Sequence, residues 1–540
     1  MNKPTLARRT GALLAVSALG AAGLVAAPGA ATAAPVPGAD QAPATASASW
    51  LAGQLEDGLL TYQAGEFQNA DHGLSIDTAL ALQEVGGQDA AVTAVRDAVA
   101  AGLAGYISGE AFGDVGSTYA GAAGKALALA TATGGDPESF GGVDLVARVE
   151  SVTDDTTGRT ADVSEYGDYA NTLGQSFAAR GLAAAGSPEA AAATDFLLDQ
   201  QCEAGFFRQA FSATGAADQT CDGAADAEPS VDATATAVLN LLARDDAGEN
   251  AIAAAVDRAA TWLASVQRAG GAFGADDQIE SPNANSTGLA GWALGLAGRA
   301  TDAAEAAAWL RARQLTNVGS CTPFRPTDLG AVAYDDAALA GARKDGITAA
   351  TEGQYLRATA QALPALQWAP AAGGANVLAA PDYVKAGSRV SPGVIGAAPG
   401  EWLCASVAGA TASVPADVAG EAVLRVRLPK AAGTRTVTVS DADGVVGTAR
   451  FRALGATKLT VRAKKNAVRR GANQVVKVRG LAPAEPVRVV VGGRRVDTGQ
   501  ANAKGRFTGR FKATGSGRTK VVVKGQFGNR RGTAAYRVTR

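Results

Sequence analysis

A short pattern recurs along the first two thirds of this chain and dictates how that part is built. Arg258-Ala259-Ala260-Thr261-Trp262-Leu263 leads to Gln267 and then to Gly271-Ala272-Phe273. Ala192-Ala193-Thr194-Asp195-Phe196-Leu197 leads, at the same spacing, to Gln201 and Gly205-Phe206-Phe207. Degenerate copies run from residues 305–310 through Gln314 to Gly319-Ser320-Cys321, and from Trp50-Leu51 to Gln54 and Gly58. The aromatic packs a helix, the glutamine amide ends it by bonding the next loop, the glycine turns the chain, and the second aromatic staples it back. Such a unit buries its apolar face only against its neighbours, so recurrence predicts a repeat architecture.

The surrounding periodicity agrees. Over residues 45–372 apolar residues recur at i, i+3, i+4 and i+7 with abundant alanine, which predicts helices. One set covers 46–60, 90–106, 143–152, 189–201, 250–267 and 302–314; the other covers 74–85, 117–133, 169–185, 231–244, 286–298 and 354–366. The sets alternate strictly and give six helical hairpins, each about 40–70 residues after the last. Helices of the second set share polar starts: Asp77-Thr78, Asn171-Thr172, Asp232-Ala233-Thr234 and Asn285-Ser286-Thr287, with Thr359 a reduced fifth. Such residues satisfy free amides at a helix start, so capping is the first expectation. The functional alternative is that Asp77, Asn171, Asp232 and Asn285 line a central cavity.

The glutamine pattern resembles the QW repeat of terpenoid cyclases, whose superfamily also holds protein prenyltransferase subunits, cobalamin carriers and thioester domains. The resemblance implies an (α/α)6 toroid over residues 45–372, in a secreted bacterial protein of the prenyltransferase/squalene-oxidase-repeat type. It implies no activity, because one fold hosts unrelated functions.

From about residue 376 the period changes to two. Strands are expected at 401–407, 422–428, 435–440 and 446–452, and again at 457–463, 474–479, 487–491, 506–512, 519–524 and 534–539. In the second group Val475, Val487, Val489, Phe507, Phe511, Val521 and Val523 are expected to face inward. Each group, 376–454 and 455–540, reads as an Ig-like β-sandwich. The expected architecture is an (α/α)6 toroid followed by two Ig-like β-sandwich domains.

The net charge of −2 hides a polarity. Residues 455–540 hold 22 Lys and Arg against two acids, Glu485 and Asp497, a net +20; residues 35–454 hold 24 bases against 49 acids, a net −25. An acidic body with a basic tail points to an anionic partner for the tail; the alternatives are a solvated basic surface and docking of the tail on that body. Arg469, Arg470, Arg494, Arg495, Arg530 and Arg531 stand near strand ends and turns and are the candidate contacts to a polyanion. The expected partner is an anionic cell-wall polymer rather than nucleic acid, because the chain reads as exported.

Export is read from residues 1–34. Lys3, Arg8 and Arg9 precede an apolar stretch, 13–25, and Ala31-Thr32-Ala33 offers a cleavage site, the grammar of a signal peptide. The stretch is short of the roughly 20 residues a membrane span needs, and no second apolar run is expected. An exported chain with four cysteines predicts disulfides, Cys202–Cys221 locally and Cys321–Cys404 as the remainder. Their separations fit no compact zinc motif. The protein is therefore expected outside the cell, secreted or wall-associated.

Catalytic patterns are sparse. The Asp-x-Asp-Asp acid of protonation-started cyclases is missing; Asp154-Asp155, Asp276-Asp277 and Asp335-Asp336 are bare pairs that read as loop acids or helix starts. Asp-rich magnesium clusters are missing too. The one histidine, His72, reads as a loop residue. Gln200-Gln201-Cys202 reads as the repeat glutamine plus a disulfide, not a thioester. No cofactor or metal is expected, and the chain is read as a binding protein rather than an enzyme. A cyclase-like enzyme without the usual motifs and a corrinoid-type carrier are the alternatives. In the carrier, aromatics such as Trp50, Tyr62, Tyr119, Tyr166, Tyr169 and Tyr334 would line the mouth together with His72.

Overall fold

The computed structural model describes residues 38–64, 67–224, 227–244, 246–276 and 278–540. The expected signal peptide lies outside the described residues, as does Asp277. Among the described residues thirteen α-helices come first: α1 (Ala42–Ala52), α2 (His72–Val85), α3 (Asp89–Ile107), α4 (Ala120–Ala132), α5 (Leu145–Glu150), α6 (Thr172–Ala184), α7 (Ala190–Asp199), α8 (Val231–Leu242), α9 (Asn250–Val266), α10 (Ala284–Leu296), α11 (Ala300–Arg311), α12 (Asp336–Asp345) and α13 (Glu352–Ala362). Helices α2, α4, α6, α8, α10 and α13 pack each on the next, and α13 packs back on α2, so they close a ring. The others, α12 apart, alternate with them in sequence and form the outer layer. This is an (α/α)6 toroid.

Small residues set the width of the ring. A Cβ on Gly174 of α6 would stand 2.8 Å from the Gly121 α-carbon of α4, and one on Gly124 would stand 2.9 Å from the Ala178 nitrogen. On α10, a Cβ at Gly288 would stand 2.3 Å from the Gln361 carbonyl of α13. Inner helices that touch through backbone leave little space at the centre.

The repeated glutamines tie the outer layer. Gln201 Nε2 donates to the Gly205 carbonyl and to the Ala255 carbonyl of α9. Gln267 Nε2 donates to Gly271 and to Asp302 of α11. Gln314 Nε2 donates to the Pro43 carbonyl and Ser47 Oγ of α1, closing the circuit. Each of these three glutamines therefore bonds its own loop or closes on the following outer helix; Gln54 does not, its Nε2 donating to the Trp50 carbonyl one turn back in α1. The turn after Gln314 is not Gly319-Ser320-Cys321 as expected. Gly330, with φ of +102° and its α-carbon against α1, takes the glycine place, and Val332 bridges to Gln314. Residues 315–329 are an insertion between them.

Other departures are local. Helix α1 begins earlier and stops at Ala52, with a proline in its first turn, and the chain then forms a hairpin, Thr61–Ala64 with Phe67–Ala70. Helix α12 lies between the outer and inner members of the sixth pair, and Asp335 caps it by accepting from the Ala338 amide. A second apolar run exists: α3 is long and apolar enough by composition to cross a membrane. Here it buries Val92, Val95, Val99 and Leu103 in the toroid.

Two Ig-like β-sandwiches follow. The first has a five-stranded sheet, in order Tyr383–Lys385, Val445–Leu454, Gly433–Ser440, Trp402–Val407 and Ala410–Pro415, over a core that includes Leu403, Val437, Val439 and Phe451. The second packs a six-stranded against a three-stranded sheet around Val476, Val487, Val489, Phe511, Val521 and Val523. In the strand Asn473–Arg479 the inward residues are Gln474, Val476 and Val478, not the expected Val475. Cys321–Cys404 joins the insertion of the toroid to the first sandwich, where Trp402 Nε1 also donates to the Ala312 carbonyl at 3.0 Å.

Candidate functional site

The inner helices begin at one end of the toroid, and their capping residues are mostly not the ones expected. Asn171 does cap α6, accepting from the Leu173 and Gly174 amides. Helices α2, α8 and α10 are capped by Asp71, Ser230 and Asn283 instead. That releases Asp77, Asp232 and Asn285 for other surroundings. The threonines have a different task. Thr234, Thr287 and Thr359 hydroxyls accept the amides of Phe207, Phe273 and Val332, pinning each returning loop to an inner helix.

Asp77 and Asp232 line a cavity at the centre of the ring, with Lys125, Phe177, Arg180, Trp292 and Gln361. Its volume is about 130 Å³, below the roughly 300–1,000 Å³ of ordinary ligand pockets. Charges fill its walls. Lys125 pairs with Asp77 at 2.7 Å, and its ammonium stands 5.4 Å from the centre of the Phe177 ring. Burial lowers the Arg180 guanidinium to about 10, with Glu84 acting in the opposite sense. Burial raises the Glu84 and Asp232 carboxyls. Asp232 Oδ1 and Gln361 Oε1 are buried without a hydrogen-bond partner. Chemically this is a charged plug whose aromatic face already carries a fixed cation.

The mouth is wider. A cleft of about 830 Å³ is lined by Tyr62, Asp71, His72, Tyr106, Asn285, Tyr334 and Arg357 among others. The His72 ring stacks on Tyr106, its Nε2 is buried against Gly102, and burial lowers its basicity despite neighbouring Asp71. This places His72 as a packing residue at the start of α2. A second cleft, about 800 Å³, holds Tyr169 and Asn171 beside the loop closed by Cys202–Cys221. Of the other expected mouth residues, Trp50 lies in a separate groove beside the first sandwich, and Tyr166 is exposed. The loops entering the inner helices expose Phe67, Phe112, Val115, Tyr166, Tyr169 and Ile279, with Phe112 84% exposed. The sequence reading missed Phe67, Phe112, Val115 and Ile279; their signal was a large apolar residue inside a Gly- and acid-rich loop.

The tail presents a different chemistry. Of its 22 bases, all except Arg530 are exposed. Arg530 is 4% exposed and does not face solvent as expected. Its Nε and Nη2 donate to the Glu485 carboxylate at 2.6 and 2.7 Å, and its Nη1 donates to Gly455 and Thr457. Because the low-dielectric interior requires a partner for each charge, Arg530 is a structural residue. Arg469, Arg470, Arg494, Arg495 and Arg531 are exposed. Among the described residues no ion pair links the tail to the toroid; its one ion pair is Arg530–Glu485.

No protein-family model and no curated protein matches the chain. Among solved structures, a protein from Actinoplanes is similar at 18% identity, covering 61% of this chain and 99% of its own, with a TM-score of 0.41. The type II terpene cyclase MstE from Scytonema is similar at 16% identity, covering 60% of this chain and 96% of its own, also at 0.41. The Escherichia coli adhesin FdeC is similar at 17% identity over 31% of this chain and 65% of its own, at 0.22. The chain's own architecture is a closed toroid of paired helices carrying two Ig-like sandwiches.

Proposed function

We propose that this is a non-enzymatic surface protein, exported from the cell, whose basic terminal sandwich holds an anionic cell-wall polymer and whose toroid meets a partner through its mouth loops. One observation carries the reading: 21 exposed bases on residues 455–540, with Glu485 buried and Asp497 half-buried. A surface of one sign recruits polymers of the other. The two disulfides fit an oxidising compartment. The cyclase alternative is disfavoured by the small cavity and by Lys125 and Arg180, which would repel a developing carbocation.

The test is a pull-down onto purified cell walls with the full chain and with a chain ending at residue 454. The full chain is expected to sediment with walls at low salt and the shortened chain to stay in solution. Equal binding by both overturns the assignment to the tail. A carrier role has the open mouth cleft in its favour. Titration of the full chain with a corrinoid, followed by absorbance, supports that role if saturable binding appears.

A further inference from the structure

We propose that the polymer crosses the terminal sandwich along one row of four cations, Lys458, Arg531, Lys524 and Arg488. This inference rests on the wall-polymer reading and deepens it by naming the track. In the larger sheet Lys458 stands opposite Arg531, Arg531 opposite Lys524, and Lys524 opposite Arg488. All four side chains are exposed, while Val487, Val489, Val521 and Val523 beside them fill the core. Period-two alternation therefore puts the four on one outward face. Neighbouring strands lie about 4.8 Å apart, so the row spans roughly 14 Å perpendicular to the strands.

Three features separate this row from a generally soluble surface. Like charges directly opposite each other destabilise a sheet, and here three such pairs follow in succession. Lysine on an edge strand guards against unwanted pairing, but Arg531, Lys524 and Arg488 stand on interior strands of the sheet. The acids of the domain give no relief: Glu485 is spent on Arg530, and Asp497 Oδ2 accepts the Arg510 amide. On the same face Arg518 stands opposite Arg537, extending the positive field along the same strands. The smaller sheet sets Arg462 opposite Lys477 and Arg479 opposite Arg506, in pairs only. An extended chain with regularly repeated negative groups, phosphodiester or carboxylate, satisfies the row without deforming the sheet.

The experiment compares three forms of the full chain: wild type, the row variant K458Q/R488Q/K524Q/R531Q, and a control of equal charge loss on the other sheet, R462Q/K477Q/R479Q/R506Q. Probes are purified poly(glycerol phosphate), polygalacturonate and duplex DNA, with affinity measured across salt. For four contacts the counterion-release relation gives a wild-type log–log slope of about −3, and the row variant is expected to lose about tenfold or more in affinity with a slope near zero. The control is expected to keep its affinity within about threefold. The two polymers tell phosphodiester from carboxylate recognition; loss of either with the row supports the track. The row variant is expected to melt no lower than wild type, since its substitutions remove opposed like charges, and this keeps binding loss distinct from misfolding. Equal losses in row and control variants overturn the track while leaving tail binding intact. No polymer binding by wild type at low salt removes the wall reading itself. Tighter binding of DNA than of either polymer overturns the assignment to a wall polymer.

Discussion

Arg530 and Glu485 show how one residue's surroundings override its type. Removing the arginine leaves a carboxylate that is 0% exposed without its counter-ion; R530A is expected to cost about 3–5 kcal/mol in chemical denaturation. The Glu485 carboxyl is held below its usual value by hydrogen bonds from Arg530 and the Ala482 and Gln526 amides, despite opposing burial. A lowered folded-state value stabilises above the unfolded carboxylate pKa of about 4.3 and is lost as pH falls through the folded value. R530A should therefore flatten the acid limb of the stability–pH curve, and an unchanged limb would contradict this role. Asp232 has the opposite sign. Burial raises it, so its contribution is present at low pH and is lost as pH rises through the folded value. D232N is expected to raise Tm at pH 7–8 and give no gain below about pH 4. A gain that is the same at both pH values would show that ionisation is not the cause. The Glu485–Arg530 pair was not legible in the sequence, its members being 45 positions apart; Asp232 reads there either as part of a helix start, a place that Ser230 takes, or as lining a central cavity, where it lies.

At the scale of elements, the glutamine–glycine unit was legible because its parts are close in sequence and each does local work. The same unit was misread after Gln314, where the insertion 315–329 moves the turn to Gly330. Strand parity failed at Val475 because two valines adjoin; Gln474 settles it by turning inward and donating to the Lys465 carbonyl. The width of the ring depends on Gly288 and Gly174 meeting backbone of a neighbouring helix, which no single helix reveals. The threonine latch gives a prediction. T287V leaves the buried Phe273 amide without its acceptor and is expected to cost about 1–3 kcal/mol. T287S keeps a hydroxyl acceptor for that amide and should cost clearly less. Equal losses in a denaturant series would remove the latch as a stabilising device. Loss of the Cys202–Cys221 bridge, which closes a separation of 19 residues, is expected to cost about 3 kcal/mol on loop-closure grounds.

At the scale of the molecule, the toroid and the tail divide the charge and are joined through the first sandwich. Cys321–Cys404 and the Trp402 indole fix the toroid to that sandwich, and the Tyr383 hydroxyl donates to the Pro483 carbonyl of the tail. The toroid class and the positive tail were both legible, one from periodicity and one from counting charges. The closed centre was not, because it is made by residues from six helices. The account predicts that the tail's cations remain free for an external polyanion. The most direct measurement is the affinity of the full chain for purified cell walls, as prepared and after stripping of anionic polymers, across a salt series. Exposed charges act over only about 8–10 Å at physiological salt, so binding should fall steeply as salt rises and should vanish on stripped walls. Binding that is independent of salt, or equal on stripped walls, contradicts the account.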